Sequence, residues 1–346
     1  MSITKVAAWL ISLALILTLI VLGQSFLVPV LLALLLWYII NGIDNQIRRF
    51  GLLRRYCPNW LSLTVSFGLI GLGLYFVGNL IVNNANEFIS TAPQYFEKVD
   101  DLLLRIHTLL GREGDPWTLD TIKYGDQLIN NFSILVGGIT TIARGFFLVM
   151  LYVIFLLIEQ GTFSKKISAL RMNATQQKRY QQIVGQVNSA MRKYLWVKTF
   201  TSVLTAILSY IVFRMIALDF AIFWAFLIFL FNYVPTIGSI TATALPALLA
   251  LLQFDEFAPF LIIAIGVSAI QLIVGNIIEP RMMGDTLNIS PLVVVLALIF
   301  WSIIWGVAGM LLSVPITVMI LIVCAQFPTT RPVAILLSKD GRIGDG

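Results

Sequence analysis

A single histidine and two cysteines leave this chain almost bare of metal-binding side chains. His107 belongs to no HExxH pattern, and Cys57 and Cys324 stand far apart with no CxxC spacing, which argues against a structural zinc site, a membrane metalloprotease or a disulfide framework. Both cysteines are expected as free thiols. No GxxxxGK[ST] phosphate loop occurs, so ATP hydrolysis at a Walker site is excluded. A Ser-His catalytic pair would hang on His107 alone, and no serine is marked as its partner. The chain is therefore expected not to be an enzyme, to need no cofactor and to hold no metal. Charge is scarce as well: 12% of residues are Asp, Glu, Lys or Arg, about half the share in a soluble domain.

What fills the space is apolar. Of 346 residues 59% are hydrophobic, and the mean hydropathy is +0.92. No water-soluble core absorbs that much apolar surface, and several runs reach the ~20 residues that cross ~30 Å of hydrocarbon. The expected fold is all-α, a polytopic transmembrane helical bundle of about eight membrane segments, with interrupted or re-entrant helices in the C-terminal half. Basic loops on the cytoplasmic side account for most of the net charge of +6. The partners implied are the lipid bilayer and a small polar solute, and nothing calls for nucleic acid.

Residues 1–82 carry the N-terminal transmembrane helices. Val6 to Leu22 and Phe26 to Ile40 are apolar runs parted by Gly23-Gln24-Ser25, expected as a tight helical hairpin or as one long kinked helix. The basic connector Asn41 to Trp60 belongs in the cytoplasm, and Leu61 to Val82 presents a small-residue face of Gly68, Gly71, Gly73 and Gly78. Residues 83–131 are acidic and read as an extracytoplasmic segment, with an amphipathic helix after Pro93 and a second over about Leu119 to Asn130. Residues 132–160 return as a transmembrane helix carrying Arg144. Residues 161–198 are basic, with no Asp or Glu, and Thr175 is a plausible N-cap for an amphipathic cytoplasmic helix that lies on the anionic inner leaflet or is solvated beneath the bundle. Residues 199–327 form the C-terminal transport core, and 328–346 a cytoplasmic tail. Both termini are expected inside.

The informative stretch is Phe231 to Leu252, as apolar as a span yet interrupted by Asn232, Pro235, Gly238 and Pro246. An unpaired backbone N–H or C=O costs several kcal/mol in hydrocarbon, so a broken helix survives there only against protein or a hydrated cavity. Setting Pro246 over Pro315 brings Phe231 over Phe300. Each copy then runs from an aromatic approach through glycine to proline, a short and degenerate match. The last apolar stretch, from Pro291, has about 35 residues, too long for one span and short for two; Gly306, Gly309 and Pro315 mark where it can break. Two interrupted segments in comparable positions point to a binding region near the midplane. The transport pathway is therefore placed at Asn232, Tyr233, Pro235, Thr236, Gly238, Pro246, Asn276, Gly306, Gly309 and Pro315. Glu279 and Arg281, around Pro280, are the coupling or gating pair, or else an interfacial salt bridge that pins a loop.

Tyr194 and Lys198 opening a span, FNYVPTIGS at Phe231 to Ser239, ALP at Ala244 to Pro246, GNIIEPRMMG at Gly275 to Gly284, SPLVV at Ser290 to Val294 and GVAGMLLSVP at Gly306 to Pro315 occur in that order. Together they resemble the autoinducer-2 exporter family of bacterial permeases, in detail over about Ile183 to Leu336 and in layout over the N-terminal half. The resemblance implies a multi-pass transporter of the bacterial inner membrane exporting a small polar metabolite or signalling molecule such as autoinducer-2. It implies as an alternative a Na⁺(Li⁺)/H⁺ antiporter, with H⁺ or Na⁺ coupling, and it makes a homo-oligomer plausible. Outside transport, a membrane scaffold or assembly protein holding a partner through 83–131 is the competing reading.

Overall fold

The computed structural model describes residues 3–49, 147–163, 173–284 and 287–341, with short pieces between 64 and 91 and between 145 and 169. The helices expected between Pro93 and Asn130, and with them His107, Arg144 and Cys57, lie outside the described residues. Among the described residues the fold is helical with no strand, as expected from composition. Four helices among the described residues are long and apolar enough to cross a membrane. Large apolar side chains face outward along them, among them Phe26, Ile207, Ile265 and Ile303.

Helix α1 (Ile3–Leu22) and α2 (Gln24–Arg49) are separated by Gly23 alone. Gly23 N–H donates to Leu19 O at 2.8 Å and Gly23 O accepts from Leu27 N–H at 2.8 Å, so the i to i+4 ladder runs through the junction. Of the two sequence expectations, the single interrupted helix is the one adopted and the hairpin is not. Helix α3 (Phe147–Phe163) follows. Next comes α4 (Ala174–Met215), 42 residues without a break and so ~63 Å long; the basic segment and the span after it are one rod. Its N-cap is Asn173 rather than Thr175. Asn173 Oδ1 accepts from Gln176 N–H at 2.9 Å while Gln176 Oε1 accepts from Asn173 N–H at 3.2 Å, a reciprocal capping box.

The remaining elements are α5 (Ala221–Phe231), α6 (Ile237–Gln253), α7 (Ala258–Ile273), a π-helix (Val274–Ile278), α8 (Glu279–Met283), α9 (Pro291–Ala325) and α10 (Arg331–Leu337). Contacts divide the chain into two units. The first comprises Met1–Ser66, Gly145–Thr199 and Glu279–Gly346, the second Phe67–Arg144 and Phe200–Ile278.

Each unit contains a tight helical hairpin closed on a glycine. In the second unit α5 and α6 share a core of Ala221, Trp224, Ile228, Ala242, Leu249 and Ala250. Its members come from both sides of the turn near Pro235, Ala221, Trp224 and Ile228 before it and Ala242, Leu249 and Ala250 after it. In the first unit α9 is divided by Gly306, whose φ of 59° and ψ of −137° only glycine adopts without strain. Ala297 and Trp301 before it share a core with Leu312 and Ile316 after it.

The crossings are made by glycine. A Cβ on Gly238 would sit 1.8 Å from Phe231 O, and one on Gly309 would sit 1.9 Å from Trp301 O. Residues seven or eight apart on a straight helix are more than 10 Å apart, so each close approach records a reversal of the chain. The expected repeat is thus present as a device, an aromatic carbonyl laid on a glycine, although the glycines are offset from the proline alignment. Gly238→Ala and Gly309→Ala should each destabilise the detergent-solubilised protein by about 1–3 kcal/mol in thermal unfolding. Gly42→Ala, where a Cβ meets nothing within 4 Å, should be neutral or stabilise by up to about 1 kcal/mol.

Candidate functional site

Eleven residues reach ~17 Å, about half of the hydrocarbon thickness. Helix α5 therefore ends at depth. Asn232, the residue after it, fixes where: its Nδ2 donates to Ser202 Oγ on α4 at 3.0 Å. Ser202 stands thirteen residues before Met215, about 20 Å along the axis of α4, and the two lengths agree.

The turn itself is closed on its own backbone. Asn232 N–H donates to Ile228 O, Tyr233 N–H to Leu230 O, Val234 N–H to Phe231 O, Ile237 N–H to Pro235 O and Gly238 N–H to Val234 O, at 2.7 to 3.2 Å. The expectation that the break opens main-chain groups to a hydrated route is thus not met for these donors. Strain is held at Thr236, a β-branched residue at φ 63°.

The polar groups that face inward are side chains instead. On α4, Thr201, Ser202, Thr205 and Ser209 are at most 1% exposed, and their spacing of three, four and seven residues puts them on one face. Thr205 Oγ1 donates back to Thr201 O at 2.8 Å, and Ser202 is taken by Asn232. Ser209 Oγ and, on α5, Trp224 Nε1 are buried with no hydrogen-bond partner among the described residues. Trp224 lies eight residues before Asn232 and Ser209 seven after Ser202, so the antiparallel helices bring both to the same depth. A second uncharged contact, Gln271 Nε2 donating to Thr243 Oγ1 at 3.0 Å, ties α7 to α6.

Of the other residues singled out in the sequence, Tyr233 and Pro235 are half-buried and Gly238 and Pro246 buried, while Thr236 and Asn276 are exposed, Asn276 within the π-helix. In the first unit Gly306 is exposed at the break, and Gly309 and Pro315 are buried. Around Pro315 every residue from Leu312 to Val318 is buried, making this the central strut of that unit. Its polar members Ser313 and Thr317 donate to Met310 O and Ser313 O at 2.7 and 2.6 Å.

Glu279 does not pair with its sequence neighbour. Lys198 Nζ donates to Glu279 Oε1 at 2.7 Å and to Oε2 at 3.0 Å, with the two side chains 8% and 18% exposed. Arg281 is exposed. The π-helix just before Glu279 adds a residue to the turn and so re-aims the carboxylate, a device frequent at functional sites. Lys198 and the α4 hydroxyls were missed in the sequence reading, yet a signal was there. Polar residues at 198, 201, 202, 205 and 209 recur every three or four positions through an otherwise apolar span.

The match to the AI-2E family transporters covers residues 10–329. The chain belongs to the AI-2E family of transporters. Among relatives of this AI-2E protein, one from Haemophilus influenzae with only a provisional description as a transport protein is 36% identical over 325 residues, 91% of each chain. The AI-2 transport protein TqsA of Escherichia coli is 31% identical over 319 residues, 91% of this chain and 90% of its own. A third, YhhT of Escherichia coli, is 28% identical over 85% of this chain and 83% of its own, again provisionally described as a transport protein. Family membership and the long apolar helices make this a multi-pass membrane transporter. Because breaking a nearly buried ion pair strands its other charge, Lys198→Met and Glu279→Gln should each cost about 3–5 kcal/mol in thermal unfolding. The double variant should recover more than half of that loss, whereas Arg281→Gln should stay within about 0.5 kcal/mol of the parent.

Proposed function

We propose that this AI-2E transporter is a secondary or facilitative exporter of a small, uncharged, hydroxylated solute, which moves along the hydroxyl face of α4 past the Asn232–Thr236 turn. The observation that carries the solute chemistry is the pair of buried donors without partners among the described residues, Ser209 Oγ and Trp224 Nε1. Each costs about 1–3 kcal/mol while unpaired, and a polar guest at that depth removes the cost. A face of hydroxyls without a charge favours a neutral solute over an ion.

Autoinducer-2, carried in the name of the 31%-identical relative TqsA, is a small signalling molecule of the size such a face suits, and quorum sensing is the setting in which its export would serve. The hairpin at Gly306–Pro315 is the second moving element in this reading, by analogy with paired broken helices that bracket transporter sites. Lys198 and Glu279 replace Glu279 and Arg281 as the coupling or gating pair. Both termini lie in the cytoplasm of a bacterial inner membrane, and the transporter works as a homo-oligomer.

Exchange of Na⁺ or Li⁺ for protons is a second reading, favoured by one observation. Glu279 is a nearly buried carboxylate, the type of group such exchange requires.

Vesicles holding the purified protein test both. Autoinducer-2 efflux should exceed that of empty vesicles and fall several-fold in Ser209→Ala, while the melting temperature stays level or rises because an unpaired buried hydroxyl is removed. Equal efflux in Ser209→Ala and parent would take the hydroxyl face out of the route. If efflux is absent and a sodium gradient drives proton flux that Glu279→Gln abolishes, the antiporter reading replaces the first.

A further inference from the structure

One exposed face of α4 changes character along its length. Ser189 and Arg192 are followed on that face by Trp196, Phe200, Val203, Ile207 and Ile211, all exposed and at three- or four-residue spacing. From Trp196 to Met215 the helix runs ~29 Å, the thickness of the hydrocarbon layer. An exposed tryptophan where the apolar stripe begins marks the membrane interface, the level at which aromatic belts sit. Arg192 and Lys193 then stand one turn further out, at the level of lipid phosphates.

At that level the surface is concave. An open recess of about 480 Å³ is lined by Gly185, Asn188, Ser189, Arg192, Lys193 and Trp196. It has two cations and no acidic side chain in its lining, a hydroxyl and an amide as further polar groups, and an aromatic at its membrane edge. Gly185 keeps it open, since a Cβ there would meet nothing within 4 Å. Asn188 is held in place by Tyr38, whose hydroxyl donates to Asn188 Oδ1 at 2.6 Å, which leaves its amide N–H₂ group as a donor.

We propose that this recess binds the phosphate headgroup of an anionic phospholipid, with Arg192 and Lys193 on the phosphate oxygens, Asn188 and Ser189 as further donors, and Trp196 against the glycerol and upper acyl chain. The chemistry is that of a phosphodiester, and its position at the foot of a lipid-facing stripe selects a membrane lipid over free phosphate. The site is separate from the solute route and does not depend on it. A basic pocket beside a transmembrane helix is a known way to hold an anionic headgroup.

The test uses the full-length protein in detergent, titrated with phosphatidylglycerol, phosphatidylcholine or inorganic phosphate while melting temperature and bound lipid by native mass spectrometry are followed. Phosphatidylglycerol should raise the melting temperature and remain bound, more weakly as salt rises, and phosphatidylcholine should do neither. Arg192→Gln/Lys193→Gln should weaken the phosphatidylglycerol effect about thirty-fold. Gly185→Leu, which fills the recess and keeps both charges, should abolish it. Lys178→Gln/Lys339→Gln, with the same loss of charge elsewhere, should leave it intact. If the double variant does not fold, Arg192→Gln alone, at an exposed position, carries the test with a roughly fivefold loss. An equal response to phosphatidylcholine, an equal response to inorganic phosphate, or an effect unchanged in Gly185→Leu would overturn the proposal.

Discussion

Hydrocarbon offers no hydrogen bonds, and the shape of this molecule follows from that refusal. Wherever the chain turns at depth, the turn has to consume its own donors. Five of the six N–H groups from Asn232 to Gly238 do so by bonding to carbonyls of the turn and of the end of α5. That is possible only if the two helices come close enough for a carbonyl to lie on a backbone with no side chain. Gly238 under Phe231 O and Gly309 under Trp301 O are the two places among the described residues where this happens. The hairpins, the lengths of their arms and the depth of their turns all depend on those contacts.

Once the backbone is closed, polarity in the interior has to come from side chains. Short hydroxyls are the least expensive way to supply it, because a serine or threonine can return its proton to its own helix, as Thr205, Ser313 and Thr317 do. Ser209 and Trp224 break that pattern. Both are buried donors with no partner among the described residues, which is why the proposed route is drawn past them. The charged pair is of a different kind. Lys198 and Glu279 neutralise each other across 81 positions of sequence, which makes the pair sensitive to any motion that separates their helices.

The helix α4 joins these features. It carries the capping box at its start, the exposed Trp196, the buried Lys198 and the hydroxyl face within one helix. Its content gives no cause for a break: no proline and a single glycine, Gly185, in 42 residues.

Much was legible in the order of residues. Hydropathy alone marked the spans, because ~30 Å of hydrocarbon imposes a length on any helix that crosses it, proline marked the break near Pro235, where a helix loses a donor, and glycine marked the one at Gly306, whose positive φ few other residues tolerate. The capping box at Asn173 and Gln176 has the local spacing of a helix start, although Thr175 is an N-cap residue type as well. Other features belong to the tertiary structure. Arg281 is the sequence neighbour of Glu279, but a π-turn and a helix 81 residues away make Lys198 its partner. Likewise, whether Gly23 opens a hairpin or merely interrupts a helix depends on hydrogen bonds that no spacing rule specifies. Local preferences act over one turn of helix and can be read from the chain, whereas which distant group fills a buried valence depends on the packing of whole helices.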